Sequence, residues 1–73
     1  MATERIHADV TGSVWKIEAQ IGDRLKADQT IMIVESMKME IPVVAPVSGV
    51  LTELFVKEGQ EVEEGQQLAV IEV

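Results

Sequence analysis

The sequence contains no cysteine, so neither disulfide bonds nor thiolate-ligated metals can stabilise its fold. Large aromatic residues are also scarce, since the chain has one tryptophan, one phenylalanine and no tyrosine. With 73 residues in all, it has room for one small domain with a thin hydrophobic core. We therefore expect a single domain over residues 1–73, without a deep catalytic cleft.

Basic residues are outnumbered: six lysines and arginines stand against thirteen aspartates and glutamates, and the net charge is −7. Such a charge repels nucleic acid and anionic membranes and favours partners with basic docking surfaces. No apolar run is long enough for a membrane span or a signal peptide, and the lack of cysteine is typical of cytosolic proteins. The composition predicts a cytoplasmic protein that binds neither nucleic acid nor membranes.

An internal repeat is the most informative feature of the chain. Residues 8–35 align with residues 45–72 at a constant offset of 37 without gaps, and six of the 28 aligned positions are identical. Chance would give roughly one or two identities at ordinary composition. The apolar positions of the two halves coincide as well, so we interpret the halves as copies of one structural unit that pack together about a pseudo-two-fold axis.

Each repeat has the pattern of β-strands, because helical periodicity is absent and β-branched residues are frequent. The predicted strands include the longer segments 12–19 and 49–56 and the short apolar runs 30–35 and 67–73. We expect an all-β fold of about eight short strands, arranged as a flattened barrel-sandwich of two four-stranded antiparallel sheets.

The segment 36–44 connects the two repeats and contains an unusual turn. A tight hairpin between strands normally carries Asn-Gly or Asp-Gly, whereas this one carries Ser36-Met37-Lys38-Met39. Violations of local rules concentrate at functional sites, which favours a functional tip. The alternative is a solvated surface lysine beside two methionines that fold back into the core.

Three other features are given structural interpretations. His7, the only histidine, has no neighbouring cysteine or carboxylate cluster, so we expect it on the surface and predict no metal site. The acidic segment 61–64 is interpreted as a solvated turn with one inward valine. Strict alternation would place Trp15 on one strand face with Ile17 and Ala19, which predicts a half-buried packing role.

The tip motif resembles the attachment sequence of biotinyl domains, and residues 45–50 resemble the start of their second half. The similarity extends from about residue 8 to residue 73. Biotinyl domains place methionine before the modified lysine, whereas the related lipoyl domains usually place aspartate before it and alanine after it. The resemblance implies that Lys38 carries covalent biotin and that the flanking residues form the recognition motif: Glu35, Ser36, Met37, Met39 and Glu40.

Within this family the chain is most similar to free-standing biotin/lipoyl attachment proteins and to the carrier domains of acyl-CoA carboxylases. The resemblance implies a biotin carboxyl carrier that shuttles a carboxyl group between a biotin carboxylase and a carboxyltransferase, after attachment of biotin by a biotin protein ligase. Such a domain is a carrier and not an enzyme, because the tip has no catalytic residues.

Two alternatives remain open at this stage. One is a lipoyl carrier of a 2-oxoacid dehydrogenase or glycine-cleavage type, or a domain that accepts either biotin or lipoate; Met37 and Met39 favour biotin. The other is an unmodified structural module like the related domains of membrane-fusion adaptor proteins, in which a helical hairpin commonly separates the halves. Here nine residues join the halves, with a lysine at the tip.

Overall fold

The computed structural model describes residues 2–73 as an all-β structure; Met1, the first residue of the expected domain, lies outside the described residues. Over residues 2–73 there is no helix, and hence none long and apolar enough to cross a membrane. The all-β prediction is confirmed. Eight strands follow one another: β1 (Thr3–His7), β2 (Gly12–Ile17), β3 (Arg24–Leu25), β4 (Thr30–Ser36), β5 (Met39–Val44), β6 (Gly49–Leu54), β7 (Glu61–Val62) and β8 (Gln67–Glu72).

The strands form two four-stranded antiparallel sheets with the orders β1-β8-β6-β3 and β5-β4-β2-β7. When the offset of 37 is added to or subtracted from the residue numbers of the first sheet, β1 corresponds to β5, β8 to β4, β6 to β2 and β3 to β7. The shift therefore reproduces the second sheet strand by strand, which confirms the predicted pseudo-two-fold. Each sheet takes strands from both repeats, so neither repeat completes a sheet alone.

The structural repeat is longer than the segments aligned by sequence. Strands β1 and β5 are equivalent in the fold although both lie outside the ranges 8–35 and 45–72. The expected connection of residues 36–44 is correspondingly shorter in the structure, because β4 includes Ser36 and β5 begins at Met39. Only two residues lie between the strands of the hairpin.

Backbone hydrogen bonds between the repeats obey the same symmetry. The Gly22 N–H donates to the Leu51 carbonyl at 2.7 Å, and the equivalent Gly59 N–H donates to the Val14 carbonyl at 2.7 Å. Both glycines have positive φ, 99° and 88°, which suits residues without a Cβ. Each of these turns therefore joins one repeat to the other.

The core is wholly apolar among the described residues, with no buried polar or charged side chain. Equivalent positions of the two repeats are buried together, as the coincidence of apolar residues predicts. These buried pairs are Ala8 and Ala45, Val14 and Leu51, Leu25 and Val62, Ile31 and Leu68, and Val34 and Ile71. Removal of this apolar surface from water holds the sheets together, and so anchors the hairpin strand β4 from its inner face.

A glycine lets the hairpin strand pass close to its neighbour. A methyl group at Gly12 on β2 would overlap the backbone carbonyl oxygen of Glu35 on β4. A methyl group added at the equivalent Gly49 would lie 2.6 Å from the carbonyl oxygen of Glu72. Close strand packing directly below the tip therefore requires a residue without a side chain on β2.

Trp15 is half-buried as predicted, but the expectation that it shares a strand face with Ala19 is wrong, because a β-bulge changes the alternation of β2. Val14 pairs with Val34 while Lys16 pairs with the next residue of β4, which leaves Trp15 as the extra residue of the bulge. Trp15 therefore lies outward and is 50% exposed, whereas Ala19 is buried. The equivalent strand β6 has its own register shift between Leu51 and Glu53, so the bulge belongs to the repeat.

Candidate functional site

The site is built on the hairpin between β4 and β5. Its last two strand pairs are Glu35 with Glu40 and Ser36 with Met39, so Met37 and Lys38 alone form the loop. Both loop residues have positive φ, 52° for Met37 and 65° for Lys38. Two central residues with positive φ define a type I′ turn, whose twist matches that of the paired strands. The predicted tight hairpin is confirmed.

The turn is strained, because neither of its central residues is glycine, asparagine or aspartate. An L-residue in the left-handed region costs roughly 1–2 kcal/mol, since its Cβ crowds the following carbonyl oxygen. Met37 and Lys38 both bear this cost. The paired strands must supply the energy that keeps the turn in place, and because strained backbone of this kind clusters at functional sites, the tip is a candidate functional site.

All three side chains of the tip face solvent. Met37 is 92% exposed and Met39 is 64% exposed, and Lys38 is exposed between them. Over residues 2–73 the only ion pair joins Lys16 to Glu18, and no side-chain hydrogen bond involves Lys38. The alternative in which both methionines belong to the core is therefore wrong, and the amine of Lys38 is available for chemistry.

A side-chain hydrogen bond ties the hairpin to the loop before β2. The Ser36 hydroxyl donates to the Thr11 carbonyl oxygen at 2.8 Å. The repeat equivalents of these residues are Val73 and Ser48, and valine has no hydroxyl to donate. This bond is thus peculiar to the hairpin. Sequence reasoning missed Thr11, although the replacement of Ser36 by valine in the other repeat is a visible difference.

Carboxylates align across the sheet just below the tip. Glu35 on β4 lies directly opposite Glu40 on β5 and opposite Ser13 on β2, and Ser13 in turn lies opposite Glu61 on β7. All three carboxylates are exposed. Like charges directly opposite each other destabilise a sheet. The equivalent row of the other sheet has one base, one acid and two uncharged residues: Arg24, Glu72, Val50 and Thr3.

The remaining predicted residues lie away from this site. His7 is exposed on β1, as expected for a surface residue, and Val62 is the inward valine of the otherwise exposed segment 61–64. Within residues 2–73 no group of three or more His, Cys, Asp or Glu side chains is arranged to hold a metal ion. By contrast, the structure brings every residue of the predicted recognition motif together in the tip and the two strand pairs below it.

Comparison with known protein families identifies the family to which this chain belongs. A family of biotin/lipoyl domains, described as biotin-requiring enzyme, matches residues 3–71. The chain belongs to the biotin/lipoyl family. The resemblance based on the tip motif is confirmed.

Relatives and solved structures agree with this membership. The chain is 43% identical over 63 residues to the biotin/lipoyl attachment protein of Bacillus subtilis, covering 86% of each chain. It is 34% identical over 70 residues to the biotin carboxyl carrier protein of Streptococcus mutans, covering 96% of this chain and 54% of that protein. The structure of urea carboxylase from Kluyveromyces lactis matches with a TM-score of 0.91 at 37% identity, covering 97% of this chain and 6% of that one.

These matches confirm biotin as the expected cofactor, since biotin is specified by the family description and by the name of the Streptococcus mutans relative. They also confirm the barrel-sandwich of two sheets, because the two folds superpose over nearly the whole chain. The chain spans about half of the Streptococcus mutans protein and a small part of the urea carboxylase.

The strain at Met37 can be measured by replacement with a residue that tolerates positive φ. We expect Met37→Asn to raise the free energy of unfolding by about 0.5–1 kcal/mol, because asparagine adopts the left-handed conformation at lower cost. Urea denaturation monitored by circular dichroism measures the change.

Met39→Asn is the matched control, since Met39 is also an exposed methionine of the tip but has no positive φ. It should leave stability unchanged or lower it slightly, because asparagine is a poor strand residue. Equal effects of the two substitutions would show that the turn stores no strain at Met37.

Proposed function

We propose that the chain is a biotin carboxyl carrier in which Lys38 bears biotin through an amide bond. The observation that supports this most is the tip itself: an exposed lysine, without a polar partner among residues 2–73, at the apex of a strained turn between two exposed methionines. The residues present fit the cofactor, because the Lys38 amine extends into solvent where an acyl group can be attached and can then move.

Attachment requires the Lys38 Nζ, as a neutral amine, to attack an activated carboxyl group of biotin, forming the amide and releasing the activating group together with a proton from the nitrogen. The neighbouring titratable groups of the hairpin are the carboxylates of Glu35 and Glu40, which lie below the turn. The domain thus presents a nucleophile for another protein's active site. We propose that a biotin protein ligase supplies the activation, and that the domain is a substrate of that enzyme and not itself a catalyst.

The strands determine where the mobile arm begins. Biotin held by Lys38 would supply a ureido nitrogen for the transfer of a carboxyl group between two active sites. The Lys38 side chain lets the attached group move, whereas the paired strands and the Ser36 hydrogen bond hold its base. Tethering raises the effective concentration of the transferred group at both sites, because each transfer becomes an encounter within one assembly.

The partners we propose are a biotin carboxylase and a carboxyltransferase. This is supported by the named relatives, one of which is a biotin carboxyl carrier protein and another a urea carboxylase. We propose an acyl-CoA carboxylase as the parent enzyme, on the resemblance of the chain to the carriers of that class. The cytoplasmic location and the absence of nucleic-acid and membrane partners stay predictions from composition.

The residues around Lys38 are proposed to form the surface that the ligase reads. Glu35 and Glu40 give the tip a negative potential that steers a basic partner towards the amine. Met37 and Met39 offer apolar contact area on either side of it. A lipoyl carrier is the second candidate, since the Bacillus subtilis relative is named for both cofactors, but the two methionines favour biotin.

Replacement of the attachment residue tests the assignment directly. We expect Lys38→Arg to abolish biotinylation, because a guanidinium does not form the amide, while stability changes by less than about 0.5 kcal/mol. The measurement is intact mass of protein produced in cells supplied with both biotin and lipoate, followed by peptide mapping. The increase in mass of the wild-type protein also distinguishes the two cofactors.

Lys57→Arg serves as the control, because Lys57 is an exposed lysine outside the hairpin and its replacement should leave modification intact. A folded Lys38→Arg protein that still gains biotin would refute the assignment and direct the search to Lys16, Lys26 or Lys57.

The aligned carboxylates of Glu35, Glu40 and Glu61 lead to a second prediction, on the rate of biotinylation. Glu35→Lys reverses a charge three positions from Lys38 and should slow biotinylation at low salt, with the effect shrinking as ionic strength rises. Glu53→Lys makes the same charge change at an exposed position of the other sheet and should leave the rate near that of the wild type. Initial rates measured with a biotin protein ligase over a salt series decide the point. Equal rates for the two variants would show that Glu35 has no part in ligase encounter.

A further inference from the structure

We propose that Met37 and Met39 form a peroxide-sensitive modification site, and that their oxidation to sulfoxides suppresses biotinylation of Lys38. The sensitivity to peroxide follows from the structure of the tip alone. Its effect on biotinylation rests on the proposed function, because it concerns the encounter between the tip and the biotin ligase.

Exposure separates the three methionines within residues 2–73 into two kinds. Met37 is 92% exposed and Met39 is 64% exposed, whereas Met32, only a few residues earlier on β4, is 0% exposed. Oxidation of a thioether requires access of the oxidant to sulfur, so susceptibility follows exposure. A dilute peroxide should therefore modify the two tip methionines and spare Met32 for as long as the fold persists.

A methionine at either tip position contributes little to the stability of the fold. Burial of a methionine side chain stabilises a protein by about 1.5–3 kcal/mol, and most of this is forfeited at both positions. Met37 also adopts a φ of 52°, where its Cβ is unfavourable. The two thioethers flank the reactive amine, so an enzyme that closes on Lys38 must contact them. The two methionine side chains are therefore expected to contribute binding energy in the complex with that enzyme.

The chemistry is a two-electron oxygen transfer. A lone pair of the methionine sulfur attacks one oxygen of hydrogen peroxide, so that an S–O bond forms as the O–O bond breaks. The sulfur is oxidised by two electrons. The departing hydroxide takes up the proton of the transferred oxygen and leaves as water. The product is polar and chiral, and methionine sulfoxide reductases reverse the change.

A sulfoxide at the tip changes the contact without changing the fold. Its oxygen is a strong hydrogen-bond acceptor, and placing it against an apolar partner surface without a donor is unfavourable. We expect this to slow biotinylation on the order of tenfold. The barrel remains intact, because the core around Met32 is shielded from the oxidant.

The test uses the unmodified full chain treated with hydrogen peroxide. Peptide mapping by mass spectrometry should find oxygen on Met37 and Met39 but not on Met32, with an unchanged circular dichroism spectrum. The treated protein should then be biotinylated on the order of ten times more slowly than untreated protein. Incubation with methionine sulfoxide reductases before the assay should restore the rate.

A double variant, Met37→Leu with Met39→Leu, is the matched control. Leucine keeps the apolar character and similar volume but has no sulfur, so the ratio of rates with and without peroxide should be close to one. An equally large loss of rate in this variant would overturn the proposal, because the damage would then lie elsewhere.

Two other results would overturn the proposal: oxidised wild-type protein biotinylated at the untreated rate, or oxidation of Met32 before the tip methionines. Failure of the proposed function is distinguishable from both, because untreated wild-type protein would then gain no biotin at Lys38, whatever the oxidation map shows.

Discussion

The site depends on the pairing of Ser36 with Met39, which leaves only two residues to reverse the chain between β4 and β5. A reversal this short, joining strands of right-handed twist, is favoured as a type I′ or II′ turn, and the type I′ turn observed here has positive φ at both positions. Met37 and Lys38 adopt it at a cost, and the surrounding structure sustains that cost. The amine is therefore presented by a rigid support, although the side chain that carries it is flexible.

The duplication provides an internal comparison of the two ends of the barrel. Equivalent strands, bulges and inter-repeat hydrogen bonds are reproduced, so these features belong to the fold itself. Two differences between the repeats lie near the tip. Ser36 bonds to Thr11 where the other repeat has valine, and three carboxylates align where the other sheet has only one. We attribute these local differences to the function that only one end performs.

Much of this arrangement could be predicted from sequence. The constant offset between the halves predicted the pseudo-symmetric sheets, and the unusual turn residues between them located the site. The outward position of Trp15 could not be predicted, because a bulge depends on the register between β2 and β4 and not on local alternation. The contact of Ser36 with Thr11 and the alignment of Glu61 with Glu35 were missed for the same reason, since cross-strand register is set by the whole barrel.

We propose that the geometry of the turn, and not merely a lysine near methionine, presents the amine to the ligase. Exchanging Met37 and Lys38 tests it most directly, because composition and net charge stay the same while the amine moves one position along the turn. A misplacement of about 1 Å can cost a hundredfold in rate, so timed mass spectrometry should show biotinylation at least about a hundredfold slower in a protein of near-normal stability. Similar rates for the exchanged and wild-type proteins would show that the ligase does not depend on the position of the amine in the turn.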